Sequence, residues 1–266
     1  MIALNLVGTD SNSGTKTYNV NFLNQLNLNH SSEDLIVYVS KSYTLDLNLR
    51  SSKKIKYKIK SDLFNNFILR FFWMQFLLPI ELKINNVKTL FSGSNYSPFL
   101  IKVLNIRSVL FVHTVIPWQY LDLLPGSKIK NFLIKKMMEI SIFNSQVIIV
   151  PSFFAKKILL EKFVIDKKKI VPIYLGADHI FKKDENTDTI KNFDYDKDYI
   201  LSVLSCVKYH NILNLLKAYK IFLKETHVKI NYVIILNVLD KKYFDILTNF
   251  VKNNFEKDTV IFLSNI

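Results

Sequence analysis

The chain has 266 residues, of which 49% are hydrophobic, so it can form a sizeable core in one domain or in two. Lysine carries almost all of its formal charge of +14, because only Arg50, Arg70 and Arg107 are arginines. Lysines spread along a sequence are typical of a solvated surface. The scarcity of arginine, the residue that makes bidentate contacts to phosphate and guanine, argues against a nucleic-acid-binding protein.

Several features favour a cytoplasmic protein. The most membrane-like stretch, residues 64–80, is interrupted by Arg70 and Gln75, so the sequence predicts no membrane span. The first residues form an apolar strand without the basic region of a secretory signal. The single Cys206 excludes an internal disulfide and fits a reducing compartment. Because the chain is so basic, a peripheral contact with the inner face of the membrane stays open.

Strand-like and helix-like runs alternate along the first 174 residues. Strands are predicted at 2–7, 34–40, 54–59, 87–91, 108–113, 146–151 and 169–173, and helices at 15–28, 62–82, 128–143 and 153–163. Strands that are apolar on both faces need helices on both sides of the sheet. The alternation therefore predicts an α/β domain with a parallel sheet.

The composition turns polar between residues 175 and 198, which predicts a linker. Beyond it, strands are predicted at 199–204, 229–236 and 259–263, and helices at 211–226 and 240–254. We therefore expect one domain over residues 1–174 and a second over 199–266. A second domain that ends on an apolar strand leaves a sheet edge uncovered, so we expect this domain to be incomplete and the chain to be truncated.

The first loop, residues 8–14, joins a strand to a helix and contains Gly8 and Gly14. The N–H groups at the start of such a helix can bind an anion or a sugar hydroxyl. Many strand-to-helix turns are equally rich in glycine and serine, so the loop alone is a weak signal. Its glycines do not match G-x-G-x-x-G, which argues against an NAD-dependent enzyme.

A more specific pattern spans the linker. Residues 171–181 read V-P-I-Y-L-G-A-D-H-I-F, and residues 199–218 form a strand, a turn at Asn211 and a helix. Both segments resemble the start of the C-terminal domain in GT-B glycosyltransferases of family 4, with its P-x-G-v-D-x-x-F linker and K-N turn. The resemblance implies a retaining, nucleotide-sugar-dependent transferase with two Rossmann-like domains that face a cleft. The second domain would hold the sugar nucleotide.

Three segments of the first domain are similar to the same family. Gly14 and Tyr18 fit its G-x-x-x-Y-x-x-n-L entry to the first helix. Residues 70–79 fit R-x-x-W-x-Q-x-x-L-P, although Met74 replaces the usual acidic residue, and Asn95 lies in an f-x-x-x-N-x-x-P loop. These strings resemble the mannosyltransferase-type branch that builds bacterial surface polysaccharides. Taken alone, the Trp and Gln of residues 70–79 are just as well explained by core packing.

His113 is the candidate catalytic residue. A lone histidine is more often structural, but this one follows an apolar strand, where parallel sheets bind ligands. Its segment, V-H-T-V-I-P, resembles the family's v-x-H-D-x-x-P, in which the histidine lies beside the transferred sugar and the donor phosphate. Thr114 replaces the acidic neighbour. We expect Gly14, His113 and Asn211 to face one cleft.

The donor's diphosphate gains negative charge as it departs, so the site must supply positive charge and N–H donors. Within the family a Lys before Asn holds the phosphates. Here His210 precedes Asn211, and Lys208 stands two residues earlier. We therefore assign Lys208, His210 and Asn211, together with Gly14, Tyr18 and Asn95, to substrate binding. The resemblance implies no metal and no cofactor.

The predicted reaction is transfer of a hexose or deoxyhexose to a saccharide or lipid-linked acceptor, in surface polysaccharide or O-antigen synthesis. The family's E-x7-E motif, which contacts the donor, would fall after Ile266, so we expect weak donor binding and no measurable transfer by this chain. Two alternatives are a non-catalytic remnant that binds only acceptor or partner, and a basic protein that binds nucleic acid or a membrane surface. The sequence does not identify the sugar, the acceptor or the linkage.

Overall fold

The computed structural model describes residues 1–8, 14–28, 34–43, 54–176 and 198–264. The chain divides into two compact units. The first comprises Met1–Gln119 and Leu133–Lys182, and the second comprises Tyr120–Phe132 and Lys183–Ile266. Most of the predicted linker, and most of the predicted loop at residues 8–14, lie outside the described residues.

The first unit contains a seven-stranded sheet in which all paired strands are parallel. Its strands are β1 (Ile2–Leu6), β2 (Leu35–Ser40), β3 (Ile55–Lys60), β4 (Thr89–Ser92), β5 (Arg107–Phe111), β6 (Val147–Val150) and β7 (Ile170–Pro172). They lie side by side in the order β3-β2-β1-β4-β5-β6-β7. All six residues of β2 are buried, as expected for a strand covered on both faces.

In the described part of the first unit, six α-helices connect these strands. They are α1 (Gly14–Leu28), α2 (Phe67–Phe72), α3 (Leu78–Ile84), α4 (Ile116–Gln119), α5 (Lys128–Asn144) and α6 (Phe153–Lys162), and the π-helical turn Trp73–Leu77 joins α2 to α3. Short 3₁₀ turns occur at Lys41–Tyr43, Asp62–Asn65, Phe99–Lys102, Leu121–Leu123 and Lys167–Lys169. Ser152 caps α6, because its side chain accepts a hydrogen bond from the Ala155 N–H.

Both faces of the central strands are packed. On one face, Trp73 and Leu78 of the α2–α3 segment join a buried cluster with Tyr38 and Leu90. On the other face, Leu23 of α1 belongs to a cluster with Leu6, Phe91 and Phe111. The α2–α3 segment and α1 therefore cover opposite faces of the sheet around β1.

The second unit contains a three-stranded parallel sheet. Its strands are β8 (Tyr199–Cys206), β9 (Asn231–Val238) and β10 (Val260–Leu263), in the order β10-β9-β8. Helices α7 (Ile212–Thr226) and α8 (Lys241–Asn254) connect them, with a 3₁₀ turn at Lys208–His210 before α7. Leu216 and Leu247, one from each helix, pack with Tyr232 and Ile234 of β9.

The predicted order of strands and helices is confirmed for the described residues. One difference concerns the helix predicted over 62–82. The helical run is interrupted at Asn66, whose backbone is extended. The Asn66 side chain caps α2 by accepting hydrogen bonds from Ile68 N–H and Leu69 N–H. In the described part of the chain, no helix is both long enough and apolar enough to cross a membrane.

Candidate functional site

The candidate site lies in the first unit, where the direction of strand addition reverses. The chain adds β2 and β3 on one side of β1 and then returns to place β4 on the other side. Parallel sheets bind ligands outside the carboxyl ends of their strands at such a switch point. Gly8 lies just beyond β1, residues 93–95 follow β4, and His113 lies just beyond β5.

Two glycines allow the backbone to pack closely at this edge. A Cβ on Gly93 would lie 2.5 Å from Leu6 Cδ2 and 2.8 Å from Asn19 Oδ1. A Cβ on Gly8 would collide with the hydroxyl of Tyr43. Only glycine therefore fits at positions 8 and 93 without moving a neighbour.

His113 is held by two hydrogen bonds to the loop that follows β4. Its Nε2 lies 2.8 Å from the carbonyl oxygen of Gly93, and its backbone N–H donates to Asn95 Oδ1 over 2.7 Å. Because a carbonyl oxygen can only accept, Nε2 carries the proton. No described residue hydrogen-bonds to Nδ1, so this atom is left as an acceptor.

The environment keeps the His113 ring neutral. Burial lowers its pKa to about 4, and the hydrogen bond to Gly93 opposes this effect only in part. The ring packs against Phe111, with 4.3 Å between centroids, and edge-on against Tyr18, with 5.1 Å between centroids. Burial raises the pKa of Tyr18 to about 12, so its phenol is also neutral. At neutral pH the ring presents a hydrogen-bond acceptor and carries no positive charge.

The structure therefore brings Tyr18, Asn95 and His113 together. Asn95 has a left-handed backbone (φ 66°), and its N–H donates to the carbonyl of Phe111 over 3.2 Å, so it ties the end of β4 to the end of β5. Gly14 is the first residue of α1, one turn before Tyr18, and a Cβ there would meet no atom within 4 Å.

We expect Asn95→Gly to lower the free energy of unfolding by about 1–2 kcal/mol, because the half-buried His113 N–H would lose its acceptor. Glycine tolerates the positive φ, so the change isolates the side chain. Asn105→Gly is the matched control, since Asn105 is exposed and has a similar backbone (φ 55°). Urea unfolding measures both variants. Equal stabilities would contradict a structural role for the Asn95 side chain.

Asn19 was not predicted as a site residue from the sequence. This residue is fully buried on α1 beside Gly93, and neither atom of its amide has a hydrogen-bond partner among the described residues. Asn21, which stands at the n of the G-x-x-x-Y-x-x-n-L pattern begun by Gly14 and Tyr18, is only half-buried. The sequence offers no signal that separates the two, because a polar residue in a helix becomes notable only when its packing is known.

The R-x-x-W-x-Q segment contributes mainly to packing. Trp73 belongs to the core, and Gln75 Oε1 accepts from the Phe99 N–H over 2.8 Å. Arg70 donates to the carbonyl of Phe64 over 3.1 Å, and no described carboxylate pairs with it. With Asn5, Ser94 and other residues, Arg70 lines a cavity of about 10 Å³, which is room for one water.

The second unit holds the other candidate residues in the turn before α7. His210 Nδ1 donates to the carbonyl of Ser205 over 2.8 Å, which leaves Nε2 without a partner among the described residues. Asn211 has a left-handed backbone (φ 56°) and accepts from the Asn214 N–H over 3.1 Å. Lys208 is exposed and pairs with no described carboxylate. The turn thus presents a cation and an imidazole at the positive end of a 15-residue helix.

The sequence matches no protein-family model and no curated protein. Solved structures with the same architecture include HepE from Anabaena in complex with UDP-glucose, which is 11% identical with a TM-score of 0.65, over 100% of this chain and 69% of that one. The lipopolysaccharide outer core galactosyltransferase WaaB is 13% identical, with a TM-score of 0.51 over 99% and 68% of the two chains. UDP-N-acetylglucosamine 2-epimerase from Rickettsia bellii gives the same four values.

At such low identity these similarities show the fold alone. The fold is of the GT-B type, with two Rossmann-like parallel sheets, as the sequence predicted. The neighbours differ in activity, so the fold does not decide the reaction.

Proposed function

We propose that the chain is a glycosyltransferase that transfers a hexose or deoxyhexose from a nucleotide sugar to a saccharide or lipid-linked acceptor, with retention of anomeric configuration. We place this reaction in surface polysaccharide or O-antigen synthesis, from the similarity of residues 70–79 and 91–98 to that branch of family 4. The observation that carries the proposal is His113, held neutral and hydrogen-bonded at the switch point of a GT-B fold.

His113 is assigned to sugar recognition. Its Nδ1 can accept a hydrogen bond from a sugar hydroxyl, since Gly93 fixes the tautomer through Nε2. A ring with a pKa of about 4 is a poor general acid at neutral pH, because it holds no second proton to give. The assigned role is therefore binding and orientation of the sugar.

Binding of the negatively charged nucleoside diphosphate, as it departs, is assigned to the turn before α7. The helix N-terminus carries partial positive charge, and Lys208 adds a full one. His210 Nε2 is an additional contact, because Ser205 engages only Nδ1. This assignment needs no metal to offset the phosphate charge.

The comparisons support a nucleotide-sugar ligand. HepE carries UDP-glucose, WaaB is named as a galactosyltransferase, and MnaA from S. aureus, with a TM-score of 0.57, carries UDP. A second candidate is epimerisation of a nucleotide sugar, since the Rickettsia bellii epimerase fits as well as WaaB does. An epimerase changes the sugar's proton spectrum without an acceptor, whereas a transferase needs an acceptor to release the nucleoside diphosphate.

The first test is donor binding, detected by ligand-observed NMR with UDP-glucose, GDP-mannose and UDP as probes. We expect saturation transfer from the protein to at least one of these nucleotides. Changing both Lys208 and His210 to alanine should weaken binding about tenfold. A charge-assisted contact contributes roughly 1.5–3 kcal/mol, and solvent screens part of this at an exposed site. Lys217→Ala, an exposed lysine further along α7, is the matched control.

The proposal fails if none of the nucleotides binds, or if Lys217→Ala weakens binding as much as the double variant does. The epimerase alternative replaces it if UDP-N-acetylglucosamine alone is converted to a second sugar nucleotide.

A further inference from the structure

The outer face of the α2–α3 segment is apolar and open to solvent. Seven of its side chains form an apolar ridge, in which Phe76 and Ile80 are each 57% exposed. The ridge comprises Ile68, Leu69, Phe72, Phe76, Leu77, Ile80 and Ile84. Five of these residues are spaced four apart and follow one line along the helix. A surface helix of a globular protein normally carries polar residues on this side.

The fold holds the apolar ridge outward. Trp73, Met74, Leu78 and Leu82 on the opposite side of the segment are all buried in the core. The Trp73 indole N–H also donates to Glu81 Oε1 over 3.3 Å. The ridge therefore cannot turn inward unless these residues leave the core.

Exposed apolar side chains also occur on neighbouring elements of the same unit. Exposed Leu100 and Val103 lie in and beside the Phe99–Lys102 turn, which Gln75 contacts through Phe99. Exposed Phe143 lies near the end of α5, where Lys102 Nζ donates to its carbonyl over 3.0 Å. The Phe99–Lys102 turn thus contacts both the α2–α3 segment and the end of α5, and we treat the exposed sides of these three elements together as one face.

The charges on this face are positive. The α2–α3 segment, the turn and residues 133–144 of α5 contain five basic residues and two glutamates. Both carboxylates are already paired, Glu81 with Lys60 at 2.7 Å and Glu139 with Lys136 at 2.7 Å. Four of the basic residues are lysines, Lys83, Lys102, Lys135 and Lys136. The fifth, Arg70, lines the internal cavity and does not count toward the charge of the exposed face. No carboxylate of these three elements is left to oppose an anionic partner.

We propose that this face docks on an anionic lipid surface, with the apolar ridge inserted among the acyl chains and the surrounding lysines at the level of the head groups. An apolar helix face flanked by cations is the arrangement that binds such an interface. A second copy of the chain fits less well, because it would bring its own set of cations against the same set. Docking does not depend on sugar transfer and is measured without it.

The experiment is flotation of the full chain with vesicles of phosphatidylcholine alone or of phosphatidylcholine with about 30% phosphatidylglycerol as the anionic probe lipid. We expect the chain to float with the anionic vesicles, to stay behind with the neutral ones, and to detach in part at high salt. Phe76→Ser combined with Ile80→Ser should reduce the bound fraction about tenfold at limiting lipid. Ile68→Ser with Ile84→Ser should act in the same direction.

Ile221→Ser with Ile246→Ser is the matched control, because these exposed residues lie on helices of the second unit and are 57% and 50% exposed. It should float like the unchanged chain. The proposal is overturned if the unchanged chain does not float, if both ridge variants float equally well, or if the control loses as much binding. It is also overturned if light scattering shows a dimer that the ridge variants abolish, since a second copy would then cover the face.

Discussion

His113→Gln should make the stability of the chain less dependent on pH. The folded state lowers the pKa of His113 from 6.5 to about 4, so between these values the unfolded chain binds a proton that the folded chain excludes. Above pH 6.5 the ring is neutral in both states and does not affect the free energy of unfolding. As the pH falls from 6.5 toward 4, protonation of the unfolded chain lowers the free energy of unfolding progressively. This difference in pKa corresponds to about 3 kcal/mol.

Urea unfolding at pH 7 and pH 4.5 measures the effect. Between these values the unchanged chain should lose roughly 2–3 kcal/mol more than His113→Gln, because glutamine cannot be protonated in this range. NMR titration of the His113 ring gives an independent reading, with a midpoint expected near pH 4. The same loss of stability in both proteins, or a midpoint near 6.5, would show that the ring is not held neutral by burial.

Gly93→Ala should lower the free energy of unfolding by about 1–3 kcal/mol, the usual cost of overpacking. The added methyl would lie 2.5 Å from Leu6 Cδ2 and 2.8 Å from Asn19 Oδ1, both in fully buried side chains. Moving the chain at position 93 also moves the carbonyl that accepts from His113 Nε2. We therefore expect the ring resonances of His113 to shift along with the loss of stability.

Gly14→Ala is the control for this prediction. A methyl at Gly14 meets nothing within 4 Å, and alanine favours the helix, so this variant should be neutral or more stable by up to about 1 kcal/mol. Thermal unfolding of the two variants side by side separates the added methyl from the loss of a glycine. If both variants lost equal stability, the close contact at Gly93 would not be the cause.

The strands and helices could be predicted because each carries its own signal. Buried strands such as β2 and β6 are continuous apolar runs, and α8 is amphipathic between an Asp240 cap and Phe255. The order of the strands around β1 has no such local signal, because it depends on contacts between strands that are far apart in the sequence.

The site was only partly predictable. His113 could be found because it follows an apolar strand, and a strand end is a local feature of the sequence. Its partner Gly93 lies 20 positions away, and the neutral state of the ring depends on burial that no local pattern encodes. The apolar ridge was hidden for a related reason. Residues 64–80 are apolar on nearly every side of the helix, so the sequence could not tell which face the core would take.

The outermost strands of the two sheets differ in how well they resist unwanted pairing. In β3, lysines alternate along the strand at positions 56, 58 and 60, and β7 ends in Pro172, which has no N–H to donate. Lysine and proline on an outer strand commonly prevent it from pairing with a strand of another molecule. By contrast, β8 reads Y-I-L-S-V-L-S-C, with eight residues and no charge, and lies at the outside of its sheet. The other outermost strand of this sheet, β10, is also uncharged but has only four residues. If copies of this chain join strand to strand, the smaller sheet, and β8 as its longer outer strand, is where we expect them to meet.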